Sequence, residues 1–338
     1  MPSSTSVSEM PTVALRLDRF TVILLSTIVV ALALLEIISR ERFDSTSKVQ
    51  RRELSERAQL LAVRDAPTIS DPHVALLGNS LMLEGIDAKV LRSTLAPEYV
   101  PSTYFVLGTN YYDWYYGLRR LFAEGSRPRY IVLGLSPNQL ATSEVRGDVT
   151  ARYLVQQSDL IDAVRKTHMN ATEASGFILA HYSEFYSTRD IFRSYVMGRV
   201  LPPVADLLQK NYATFHETQI GDSVLQALAA ERLSALDQLC RRYGARFLFV
   251  IPPSYQKGNQ AIVNGGRETG IHVLAPVRSE EFDRSYYQAD GFHMNEKGAK
   301  IFTTRLASEL NQEITQSVGA IVPQGTRSRC GSRPSPRP

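Results

Sequence analysis

The chain of 338 residues is poor in the residues that staple or metallate small folds. It has two cysteines, Cys240 and Cys330, and a single tryptophan. Two cysteines cannot brace a disulfide scaffold, and neither stands in a C-x-x-C pair, which excludes a zinc ribbon. His73, His168, His181, His216 and His272 are scattered without ligand spacing, so no metal centre is expected. No G-x-G-x-x-G turn follows any candidate strand, which argues against a Rossmann-type nucleotide site, and no cofactor is expected. A repeat of solenoid period is missing too. So is charge of one sign. Four of the 38 basic residues, Arg327, Arg329, Arg333 and Arg337, lie in an acid-free tail from Ile314 onward, and the remaining 34 face 34 acidic residues. A neutral body with a basic tail gives no electrostatic footprint for nucleic acid.

What the chain does have is ordinary globular composition, 43% hydrophobic and 21% charged, and one long apolar run. Phe20 to Ile38 reads FTVILLSTIVVALALLEII, with Glu36 its only charge. At 1.5 Å per residue it spans about 28 Å, the thickness of a hydrocarbon core. The run is longer than the apolar region of a cleaved signal peptide, and Ala31-Leu32-Ala33 lies mid-stretch. An uncleaved single-pass anchor is the expectation, with a signal peptide or a buried helix as alternatives. Arg40, Arg42, Lys48, Arg51 and Arg52 after the span outnumber Arg16 and Arg19 before it, which by charge alone keeps the large C-terminal part in the cytoplasm.

Residues 1–19 are expected to be disordered, 20–38 to form the transmembrane helix, and the charged, helically spaced 39–66 to form a stalk ended by Pro67. A regular alternation follows. Short apolar strands are expected at His73–Leu77, Thr103–Leu107, Tyr130–Leu135, Arg246–Ile251 and Ile271–Leu274. Helices are expected at Ile86–Leu95, Tyr111–Phe122, Ser223–Tyr243 and Glu296–Leu310. Continuous apolar strands alternating with amphipathic helices predict an α/β domain over 67–316, with a parallel sheet buried on both faces. Residues 140–220 break the rhythm and read as a helical insertion, and 317–338 as a disordered basic tail.

In such a sheet functional groups gather at the carboxyl ends of the strands. Ser80 follows the first strand ahead of a helix, where backbone N–H groups stabilise negative charge. Asp290 and His293, three apart on a loop, have the spacing of a carboxylate that orients an imidazole. Taken alone, the first is equally a turn, and the second a helix cap leading to Asn295 and Glu296, or a loose metal pair. Gly108 and Asn138 end the second and third strands. A glycine admits close backbone approach and an amide donates to an oxyanion, with Asn110 a rival donor. Tyr111, Tyr112, Trp114, Tyr115 and Tyr116 form a stripe, half of it core by periodicity, the rest available to stack on a sugar. Asn170-Ala171-Thr172 fits a glycosylation acceptor or chance. Cys240 reads as a small core residue. Arg146, Arg152 and Arg189 read as a solvated face or a contact for a charged polymer.

Taken in order, these pieces resemble the SGNH (GDSL-like) hydrolases: VALLGNSLMLEGID around Ser80, YFVLGTN around Gly108, YIVLGLSPNQ around Asn138 and ADGFHMNEKGAKIF around Asp290 and His293. The resemblance covers about Val74 to Leu310 without the insertion. It implies a three-layer, flavodoxin-like α/β/α sandwich, with Ser80 as nucleophile, His293 as general base and Asp290 holding its tautomer. The Ser80 N–H, the Gly108 N–H and the Asn138 amide would form the oxyanion hole. Two blocks depart from the family pattern: Asn79 stands where aspartate is usual, and Ser136-Pro137-Asn138-Gln139 replaces Gly-x-Asn-Asp. One anchor, a stalk and an SGNH-like domain look like proteins of cell-envelope polymer modification, such as the alginate acetylation proteins and the D-alanyl transfer protein of teichoic acid synthesis. That likeness implies an extracytoplasmic (periplasmic) domain, against the arginine count. It also implies an acylated carbohydrate or other ester as substrate, and a multi-spanning membrane acyltransferase as partner. Hydrolysis and transfer are left open, as is a catalytically silent glycan-binding or scaffolding module.

Overall fold

The computed structural model describes residues 18–65, 72–200, 220–254 and 257–321. Of the stretch 1–19 expected to be disordered, residues 1–17 lie outside them, while Asp18 caps and Arg19 begins the first helix; residues 322–338 of the expected tail also lie outside. Five short strands, β1 (His73–Gly78), β2 (Val100–Phe105), β3 (Tyr130–Gly134), β4 (Arg246–Val250) and β5 (Val273–Leu274), form one sheet in the order β2-β1-β3-β4-β5. Every pairing is parallel.

The reason lies in the strand sequences. HVALLG, YIVLG and RFLFV are apolar at odd and even positions alike, so both faces must be covered, and only helical crossovers cover both. Ala75, Leu77, Ile131, Leu133, Phe247 and Phe249 point to one face. There they meet α2 (Lys48–Ala62), α5 (Tyr111–Ala123), α10 (Asp222–Arg242) and α11 (Asn259–Thr269). Val74, Leu76, Val132, Leu248 and Val250 point to the other, against α3 (Ser80–Gly85), α4 (Ala88–Thr94) and α12 (Glu296–Ile321). The domain is therefore a three-layer α/β/α sandwich. From β1 the chain winds first to β2 and then back past β1 to β3. The switch point thus falls between β1 and β3, where such sheets open a crevice at their carboxyl edge.

The first helix, α1 (Arg19–Thr46), contains a stretch, Arg19–Glu41, long and apolar enough to cross a membrane, with none of it buried in the protein. The stalk expected after it does not project. The helix breaks at Ser47, whose side chain accepts from Gln50 N–H, and α2 lies flat on the edge strand. Glu56 accepts from Phe105 N–H at 2.8 Å, Glu53 from Leu107 N–H at 3.0 Å, and Arg52 donates to Phe105 C=O at 3.0 Å. These side chains satisfy an edge that would otherwise invite pairing with another chain, which corrects the stalk to a cover for the sheet. Further along, Leu60 is buried and its carbonyl accepts from Ser126 Oγ. Asp65 then binds the N–H groups of His73 and Arg129 at the sheet's amino edge. Helix α2 therefore runs antiparallel to β2, from the carboxyl edge down to the amino edge.

Residues 140–200 are mostly helical, as their composition predicts: α6 (Pro137–Ala141), a π turn at Thr150–Leu154, α7 (Leu160–Lys166), α8 (Ala171–Tyr182) and α9 (Glu184–Val200). A small core of Tyr116, Ala151, Val155, Leu160, Ala163, Phe177 and Ala180 joins them to α5. Expected positions 201–219 of the insertion lie outside the described residues. Three further expectations shift. Strand β2 begins at Val100 instead of Thr103. Helices α3 and α11 stand where none was predicted. The last helix runs on to Ile321, past both Leu310 and the expected tail boundary at 317. Cys240 is fully buried, as a small core residue would be.

Candidate functional site

The site is built on the carboxyl end of β1. Gly78 pairs with Gly134 of β3, and a Cβ on either would collide with Met82, one turn into α3. The two bare positions let Met82 sink onto the sheet, so α3 can start directly at the strand end. Asn79 is buried completely and caps that helix: its side-chain oxygen accepts from Leu81 N–H at 3.0 Å, while its amide donates to Thr109 C=O at 2.9 Å. Asn79 thereby ties the β1 turn to the β2 turn. An aspartate could make the first of these contacts, but only the amide supplies the second. Ser80 is then the first residue of α3, where backbone N–H groups lack partners within the helix.

His293 reaches Ser80 from the other end of the chain. Its Nε2 lies 2.9 Å from Ser80 Oγ, and its Nδ1 lies 2.7 Å from Asp290 Oδ2. The other Asp290 oxygen accepts from Phe292 N–H at 2.8 Å and His293 N–H at 3.0 Å. Gly291, at φ +74°, makes the tight turn that folds this loop onto its own carboxylate. Partial burial raises the Asp290 pKa, but the hydrogen bonds from the His293 ring and the two N–H groups outweigh it and hold the carboxyl below its ordinary range. Asp290 therefore stays a carboxylate, which fixes Nδ1 as the protonated nitrogen and leaves Nε2 free to accept from Ser80. The helix-cap alternative for this loop goes to Asn295 instead, whose side chain accepts from Lys297 and Gly298 N–H.

Gly108 and Asn138 fall on either side of Ser80, because β2 and β3 flank β1. Gly108 is exposed at φ +67°, in the left-handed region that favours glycine, with the Arg146 side chain over it. Asn138 sits half-buried in the first turn of α6. The unusual Ser136-Pro137-Asn138-Gln139 block is a helix start: Pro137 holds the first position and Gln139 accepts from Ser136 N–H at 2.9 Å. Asn110, the rival donor, caps α5 and donates to Glu144 C=O at 3.3 Å.

Several candidates are engaged elsewhere. Tyr111, Trp114 and Tyr116 are core, while Tyr112 and Tyr115 pack against them and against the cations of Arg232, Arg119 and Lys166. The two rings expected to be free for a sugar are thus partly buried, packed on the core on one side and against cations on the other. Asn170 accepts from Thr172 and Glu173 N–H as the cap of α8. Arg152 pairs with Glu184, Arg189 with Asp148, and Arg146 with Glu53 at 3.5 Å, so all three are partly exposed cations held in ion pairs. No group of three or more potential metal ligands occurs among the described residues.

Sequence reasoning missed Glu53 and Asp113, which with Arg146 shape the loops beside Gly108. Asp113 is fully buried, accepting from Asn110 N–H at 2.6 Å, from Arg146 N–H at 3.0 Å and from Thr150 Oγ. A carboxylate within an aromatic helical stripe was the only available signal.

No family model matches the chain, and no curated protein matches it. Among solved structures, one from Slackia heliotrinireducens described as a "putative SGNH hydrolase" aligns with 71% of this chain and 99% of its own, at 11% identity and a TM-score of 0.35.

Proposed function

We propose that the protein is a membrane-anchored serine esterase or O-acyltransferase of SGNH type, working through an acyl-enzyme. The reading is carried by one observation, the continuous hydrogen-bonded relay Ser80–His293–Asp290 at the switch point of the sheet. Ser80 Oγ attacks the ester carbonyl and gives its proton to His293 Nε2. The resulting oxyanion is held by the N–H groups of Ser80 and Gly108 and by the Asn138 amide. The C–O bond to the alcohol then breaks, the alcohol leaves with the proton from His293, and the acyl group stays on Ser80. Water or a sugar hydroxyl, deprotonated by His293, accepts the acyl group and frees the serine. An acylated envelope carbohydrate is the substrate we favour, and α1 is the anchor. The domain would lie outside the cytoplasmic membrane, where a multi-spanning acyltransferase is the expected partner.

The test is covalent. The full chain in detergent is treated with a fluorophosphonate and the adduct mapped by mass spectrometry. Labelling is expected at Ser80, lost in Ser80→Ala and reduced by at least about 10³ in rate in His293→Ala. Undiminished labelling in His293→Ala, or none in the folded parent, would refute the reading and leave a glycan-binding module in its place.

A further inference from the structure

Two separate connections tie α1 to the domain, the first of them at the carboxyl edge of the sheet. The first is covalent, since α1 passes through Ser47 into the end of α2 that lies beside Leu107 and the β2 terminus. The second is Glu36, the lone charge of the apolar run. Its carboxylate accepts from Ser183 Oγ at 2.8 Å, Glu184 N–H at 2.9 Å, Phe185 N–H at 3.1 Å and Arg40 Nε at 2.8 Å. Both oxygens are fully engaged at the N-terminus of α9, where the helix dipole favours an anion. An acid that would be costly in hydrocarbon is thus matched at the end of the span, and it latches the insertion to α1.

Next to this latch, α8 ends in two large side chains that the described residues leave about half exposed, Tyr182 meeting the His181 ring edge-on. Leu179 is 48% exposed and Tyr182 is 52% exposed. Three residues apart, they share a helix face, and Ser183, which binds Glu36, follows directly. Leu32 and Leu35, in the turn of α1 before Glu36, are exposed as well, and the Ser183–Glu36 bond places the end of α8 beside the end of that apolar run. An aromatic with a polar tip beside an aliphatic, at the point where an apolar helix meets its first charges, has the chemistry of a lipid headgroup boundary.

We infer that the Leu179–Tyr182 face of α8 is seated in the lipid interface, and that this seating turns the carboxyl edge of the sheet, with Ser80, toward the bilayer. The inference rests on α1 being a membrane anchor. An ester presented at a lipid surface then lies within reach of Ser80 without the domain swinging on a tether.

The test uses the full chain with Cys330→Ser in vesicles of phosphatidylcholine and phosphatidylglycerol; Cys240 is buried and stays unlabelled. A bimane label is placed singly at Leu32→Cys, Tyr182→Cys or Arg241→Cys, and its quenching by brominated phosphatidylcholine is read. Arg241, 71% exposed near the end of α10, precedes the amino end of β4 and reports the opposite edge. Strong quenching at positions 32 and 182, several-fold above that at 241, is expected. Quenching at 32, with 182 no stronger than 241, would overturn the seating and leave the anchor standing. Absence of quenching at 32 would remove the anchor and the seating together.

Discussion

Asp290 shows how little separates an orienting carboxylate from a loop residue. Its two oxygens have separate tasks, one closing the turn on backbone N–H groups and one fixing the imidazole. Asp290→Asn keeps the shape but can present an N–H to Nδ1, which favours the wrong tautomer. Turnover of an activated ester is expected to fall by about 10³–10⁴ with little change in KM. On the proposed mechanism, Asn138→Ala removes one oxyanion donor and is expected to lower kcat by about 10²–10³. Gly108→Ala meets only ordinary contacts with Arg146 but forces a side chain to φ +67°, costing about 1–2 kcal/mol in a denaturant melt. The Asp-x-x-His spacing was legible in sequence because the whole interaction is local. The second task of Asn79, its amide on Thr109, was not, since its partner lies 30 residues away.

Helix α2 carries the main lesson at the scale of elements. Read by charge and helical spacing, it is a solvated stalk; folded, its Glu53, Glu56 and Arg52 bind the backbone of β2 and its Leu60 enters the core. Charged residues that complete a sheet edge have the same periodicity as charged residues in water, so sequence could not separate the two. A chain starting at Lys48 is expected to melt cooperatively. One starting at Pro67 is expected to melt lower and to aggregate, as thermal denaturation and light scattering would show. Leu60→Ala in the longer chain is expected to cost about 2–5 kcal/mol. The strands were easier. Runs such as YIVLG admit one placement, whereas α11, with its NGG sequence and two glycines packed against α10 and β5, hides its helical pattern.

At the scale of the molecule, the buried Asp113 carboxylate ties together the loops around the site. Burial pushes its pKa up to about 6, against the lowering effect of its bonds to Thr150, Arg146 and Asn110. From the ordinary aspartate range near 4 up to about 6, the folded chain holds a proton that the unfolded chain has released. This group's contribution therefore makes stability fall as pH rises through that window. Comparing melting temperatures from pH 4 to 7 in the parent and Asp113→Asn checks this: the variant is expected to lack that component of the slope. Asp290, whose pKa is lowered, acts with the opposite sign, and its contribution is lost as pH falls through its folded value.

The sequence by itself determined the parallel α/β sandwich, the order of Ser80, Gly108, Asn138, Asp290 and His293 along it, and the apolar N-terminal helix. The sheet and the apolar helix are written in local periodicity, and Asp290 with His293 in short spacing, where neighbours in sequence are neighbours in space; the five residues as one set are what the family resemblance implies. Only the tertiary structure decided that Ser80 and His293 meet at 2.9 Å, that α2 covers the sheet edge, and that Glu36 caps a helix begun at Glu184. Those depend on contacts between residues 49 to 213 positions apart, whose geometry is set by the packing of layers and leaves no pattern along the chain.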